Sequence, residues 1–180
     1  MDLSKNFFDV TRRNNGVDNK SLTFPANAVA MPRGTAYIEG AADASGQATA
    51  VLADGTKKFA GFTLVKVVTD VSASLTETVF EMAGGEGPLP AETPYFPGQE
   101  GAFEKADEYI AEGTDHISST GGASDITPTT AVGTKCSFLG GKTCKATTGQ
   151  IAEFYLAEQL TPIVAGNVRA RFAKLEGVVV

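Results

Sequence analysis

The single histidine, His116, follows Asp115 and precedes three nearby serines, Ser118, Ser119 and Ser124. An imidazole beside a carboxylate and a hydroxyl is the minimal kit for nucleophilic acyl transfer, because the ring can take the serine proton. The context argues against it. No Gly-x-Ser-x-Gly elbow occurs, and residues 118–125 are small and polar, as in an ordinary loop. The carboxylates of Glu104, Asp107 and Glu108 fall where solvation explains them. Neither a Gly-x4-Gly-Lys-Ser/Thr phosphate loop nor a dinucleotide Gly-x-Gly-x-x-Gly is present. Two cysteines and one histidine are too few to close a tetrahedral metal set without carboxylates. The expectation is a protein that is not an enzyme, with no catalytic residue, metal ligand or cofactor.

Cys136 and Cys144 bracket a stretch that reads as a β-hairpin turning at Gly140-Gly141. Register decides whether the thiols meet. A two-residue loop pairs Cys136 with Lys145 and Ser137 with Cys144, and the sulfurs then point to opposite faces. A three-residue loop sets Cys136 opposite Cys144 and permits a disulfide. Two free thiols are expected of a chain made in a cytoplasm.

The elements around these residues are mostly strands. Residues 35–39 are short and β-prone, and residues 47–53 run into Asp54-Gly55, a two-residue hairpin signal. Residues 59–68 are the most apolar run and read as a buried strand, with Gly61 marking a bulge or a close approach. Residues 75–82 alternate as a strand with one wetter face. Residues 84–98 hold four of the eight prolines beside Tyr95 and Phe96, an extended strap. Residues 102–112 are the predicted helix, because Phe103, Ala106, Tyr109 and Ile110 share one side at helical spacing and Gly113 can end it. Residues 150–160 suit helix or strand, and 168–172 alternate as a closing strand with Arg169 and Arg171 outward. Residues 1–30 lack a strand pattern and read as an arm that docks on a neighbour or on its own domain, which spans 31–180. The fold class is mainly β: a compact barrel-like or sandwich-like body with one short helix and an extended N-terminal arm.

Charge narrows the partners. The net charge is -6, and residues 21–129 carry five basic against fifteen acidic side chains. Residues 1–20 carry four against three, and 130–180 six against three. Such a chain is repelled by phosphate backbones, so nucleic acid is not an expected partner. The acidic middle between mildly basic ends hints at complementary packing between subunits. No apolar stretch approaches the roughly 20 residues of a membrane span, and residues 1–5 lack a signal-peptide order.

Three segments resemble the small cement, or decoration, proteins that coat the heads of tailed bacteriophages. They are Asp54-Gly55-Thr56-Lys57-Lys58-Phe59-Ala60-Gly61-Phe62, then residues 131–135 leading to Ser137-Phe138, then residues 149–157 continuing through Leu160-Thr161-Pro162 to residues 166–171. The resemblance implies a compact β-barrel-like body on the capsid exterior, self-associated as a dimer or trimer and bound to the major capsid protein. It also favours strand at 150–157. Such a protein bridges capsomers and stabilises the expanded shell. Phe7, Phe8, Arg12 and Arg13 of the arm and Tyr95 and Phe96 of the strap are the candidate contacts. Other parts of a virion (tail tube, head-fibre base or connector), a small hydrolase using Ser124 or Ser119 with His116, and a bacterial ligand-binding module remain alternatives.

Overall fold

The computed structural model describes residues 7–13, 20–63, 66–69 and 95–179. The expected strand at 75–82 and most of the proline strap lie outside the described residues. Within them the chain forms eleven strands and no helix. In order these are β1 (Phe7–Arg13), β2 (Lys20–Thr23), β3 (Ala36–Ala42), β4 (Ala48–Leu52), β5 (Phe59–Thr63), β6 (Glu100–Glu104), β7 (Ala106–Glu112), β8 (Lys135–Leu139), β9 (Lys142–Lys145), β10 (Ile151–Leu160) and β11 (Arg169–Val179). Strands β2-β4-β3-β5-β6 close a barrel, and β1-β7-β11-β10-β8-β9 form a six-stranded sheet.

β5 joins the two. It is buried along its whole length, with Ala60 turned into the barrel and Phe59 and Phe62 turned toward the sheet. Inside the barrel, Leu22, Phe24, Tyr37 and Phe103 pack around Val67. Between barrel and sheet lies the larger core, where Phe62 meets Tyr109 at 4.7 Å and Phe59 meets Phe138 at 5.1 Å between ring centroids. The anticipated bulge and close approach at Gly61 both occur. Tyr37 pairs with Gly61 but Ile38 with Phe59, leaving Ala60 as the extra residue. A Cβ on Gly61 would stand 2.8 Å from the Phe103 backbone.

Two expectations are corrected. Residues 102–112 are not a helix but β6 and β7, separated by a corner at Lys105. The corner divides the apolar positions between two cores: Phe103 faces the barrel interior, while Ala106 and Tyr109 face the core shared with the sheet. A kinked strand thereby produces spacings of three that imitate a helical stripe. The Asp54-Gly55 turn is not a hairpin, because β3 lies between β4 and β5. Asp54 instead caps a crossover, its Oδ1 accepting the Thr56 amide at 2.9 Å and the Thr56 hydroxyl at 2.7 Å.

Residues 7–13 and 20–23 of the expected arm are strands of the body itself, β1 beside β7 and β2 beside β6. Of residues 150–160, all but Gln150 form a strand, β10, paired with both β11 and β8.

Candidate functional site

His116 Nδ1 bonds to none of the nearby serines. His116 is buried, its ring lies tilted 5.5 Å from that of Phe8, and its Nδ1 has no hydrogen-bond partner. Burial holds the imidazole pKa down at about 4, with Lys142 adding to the effect and Asp115 opposing it. Ser118 donates to Asp125 at 3.0 Å, and the same carboxylate accepts the Thr120 and Gly121 amides. Those bonds hold the Asp125 carboxyl below its usual range against the opposing effect of burial, which is the largest influence on it. Asp125 therefore pins a loop.

The hairpin takes the two-residue register, Cys136 opposite Lys145 and Ser137 opposite Cys144, and both cysteines are free and buried. Burial pushes the Cys136 thiol up to about 12 and the Cys144 thiol up to about 11, so neither is a ready nucleophile.

The six candidate contacts divide. Phe8 is half-buried and packs against the shared core, 4.8 Å from Phe62, and a Cβ on Gly34 would overlap its ring. Tyr95 packs on Phe24 at 5.5 Å and its hydroxyl accepts the Ala102 amide at 3.0 Å. Phe7 lies under the Arg169 guanidinium, 4.9 Å away. Phe96 is half-buried in a turn closed by Gln99. Arg12 is exposed on β1, and Arg13 is exposed although its Nε reaches the buried Glu104 carboxylate at 2.8 Å.

The basic row of β11 is compensated from within. Arg171 Nη1 stands 3.4 Å from Glu158, and Arg169 Nε stands 3.8 Å from Glu112. Glu112 is itself buried and accepts the Ile163 and Val164 amides at 3.1 and 2.9 Å, which fixes the connection from β10 to β11.

A concave surface gathers more basic than acidic side chains, although Lys174 is paired with Asp107 at 3.3 Å and Lys57 donates to the Glu39 carbonyl at 3.4 Å. A cleft of about 830 Å³ opens at the seam of barrel and sheet, lined by Lys57, Lys58, Lys105 and Lys174 against Glu39 and Glu153. Lys57 and Lys58 precede β5, Lys105 is the corner between β6 and β7, and Lys174 lies on β11. Three of the five basic residues of the acidic middle thus gather here. Glu153 projects from β10 opposite a bulge, since Ala152 pairs with Val178 but Phe154 already pairs with Lys174. Bulges re-aim side chains in this way. The Glu153 carboxylate accepts the Phe59 amide and so ties the sheet to β5. Burial raises its pKa, and the Phe59 amide, Lys58, Lys174 and Lys105 pull the other way. Among the described residues no group of three metal-ligating side chains converges.

None of these lysines is adjacent to the candidate contacts in sequence, and the site had no sequence motif to announce it. The run Lys57-Lys58 was its one visible sign. No family model, curated protein or solved structure matches the chain.

Proposed function

We propose that this chain is a structural virion protein, a cement protein that binds the outer surface of a tailed-phage capsid and stabilises the expanded shell. The observation carrying this reading is the packing of the three segments on which the resemblance rests. The Ile151 amide donates to the Gly55 carbonyl at 2.8 Å, and Gln150 Nε2 donates to the Asp54 carbonyl at 3.0 Å. The Leu156 amide donates to Thr134 at 2.9 Å, and a Cβ on Gly55 would meet Ser137 Oγ. Segments separated by tens of residues thus form one framework, as a shared body requires.

Cementing adds buried area across capsomer joints that expansion has strained. A clamp that binds the expanded lattice and not the compact one shifts the equilibrium toward expansion by mass action. Repetition over the shell supplies avidity without a tight single contact. The partner is the major capsid protein, with self-association into a dimer or trimer, on the virion exterior. Of the candidate contacts on the N-terminal strand, Phe7 and Phe8 are half-buried and Arg12 and Arg13 are exposed, so the two arginines are the contacts to test first.

Purified protein is incubated with unexpanded and with expanded heads lacking it, and the heads are sedimented. Co-sedimentation with expanded heads alone, together with greater resistance of those heads to heat, is the expected result. Failure to bind either form overturns the reading. Arg12→Glu should lower occupancy on expanded heads without shifting the thermal midpoint of the free protein.

A further inference from the structure

The lysine cleft is not explained by folding. Barrel and sheet already share an aromatic core, and ammonium groups brought together at the surface repel one another. A protein of net charge -6 that collects Lys57, Lys58 and Lys105, beside a Lys174 already paired with Asp107, concentrates positive potential in a concavity whose walls include Phe59 and Phe154. Low-dielectric walls focus such a field outward. The charge is carried by ammoniums on flexible stems. Among the described residues there is no helix terminus to grip a phosphate, and the Phe59 amide is already taken by Glu153. Distributed positive charge of this kind matches carboxylates spread along a chain better than one compact phosphate. Gly40, Ala60 and Ala106 line the same cleft, and their small side chains leave room for a backbone.

We infer that this cleft receives an extended acidic polypeptide segment, whose carboxylates meet Lys57, Lys58 and Lys105. Under the cement reading, on which this identification of the donor rests, the segment belongs to the shell protein. Glu39 and Glu153 line the same cleft and disfavour a uniformly acidic strand laid against all of it.

Binding of a fluorescein-labelled oligoglutamate peptide is followed by anisotropy at low and at physiological salt. The comparison probe is an oligothymidylate of equal charge. Lys58→Gln/Lys105→Gln should weaken the peptide about five- to tenfold, the sum expected of two partly exposed ion pairs. Lys135→Gln, which removes an exposed charge away from the cleft, should leave binding unchanged. Glu39→Gln should tighten it, a gain that misfolding cannot imitate. Equal loss in Lys135→Gln, tighter binding of the oligothymidylate, or no binding of the peptide at low salt each overturns the inference. The same variants are then sedimented with expanded heads. Loss of head binding in Lys58→Gln/Lys105→Gln alone supports the shell segment as occupant. Retained head binding removes the shell from this cleft while leaving the cement reading intact. Absence of head binding by the unaltered protein removes the cement reading, and the peptide result still decides the cleft.

Discussion

Two titratable side chains bear on stability with opposite sign. His116 is held neutral by burial, with a folded pKa near 4 against an ordinary value of 6.5. Between those values the unfolded chain binds the extra proton, so stability falls as pH drops from 6.5 toward 4, by up to about 3 kcal/mol. Glu153 has a raised folded pKa. Its contribution is fully present below the carboxylate's ordinary value and is lost as pH rises through the raised one. Urea midpoints measured from pH 7 to pH 4 should therefore fall less steeply in His116→Gln than in the unaltered protein. In Glu153→Gln they should fall more steeply. Parallel curves for His116→Gln would show that the imidazole does not govern acid sensitivity. Glu112 is a different case, because its two backbone bonds and Asn167 depend on a buried acceptor. Glu112→Ala should cost about 3 kcal/mol in chemical denaturation, the penalty of leaving such donors unpaired. None of these roles could be read beforehand. His116 was legible as a lone imidazole in a polar loop, but its burial depends on Phe8, more than a hundred residues away in sequence.

The hairpin between β8 and β9 separates local geometry from packing. Gly140 and Gly141 have φ of 58° and 79°, the pair of positive values that a two-residue turn of this hand requires. A Cβ at Gly140 would meet open space, whereas one at Gly141 would stand 2.6 Å from Thr35 and 3.2 Å from the Ala36 carbonyl. Gly140→Asn should change stability by less than about 0.5 kcal/mol, since asparagine tolerates this region. Gly141→Ala should cost about 2 kcal/mol from strain and overlap together. Equal thermal shifts for the two would mean that the hairpin tip does not dock on β3. Turn chemistry of this kind was legible: the Gly-Gly hairpin, the bulge at Gly61 and the closing strand β11 followed from residue types. The helix at 102–112 failed because a strand corner at Lys105 divides one apolar stripe between two cores. Asp54-Gly55 failed because a turn signal fixes the chain's reversal but not which strand it will lie beside. The cleft was illegible for the same reason. Its lysines come from three connections and strands that only the barrel–sheet seam brings together.

At the scale of the molecule, the fold presents a barrel and a sheet with two cores, and β5, a barrel strand, contributes side chains to both cores. Phe62 packs within 5 Å of Phe8, Phe59 and Tyr109, rings contributed by the N-terminal strand, the barrel and the sheet. Neither layer can lose this side chain without exposing the other's apolar face, so barrel and sheet should unfold as one unit. Phe62→Ala should destabilise the protein by about 3–5 kcal/mol. The informative quantity is where that loss appears. Native-state hydrogen exchange reads it separately, through barrel amides such as those of Tyr37 and Leu52 and sheet amides such as those of Phe154 and Phe172. A common core predicts that the slowest amides of both layers gain the same factor in exchange rate. Acceleration confined to the barrel would make the sheet an independent unit, with the seam a docking contact. The cleft would then open and close with that contact, and the strength of acidic-peptide binding would track it. A single cooperative unit instead fixes the spacing of Lys57, Lys58, Lys105 and Lys174 to the stability of the whole chain. Under that arrangement Phe62→Ala weakens peptide binding only through the folded fraction, at any denaturant concentration where both are measured.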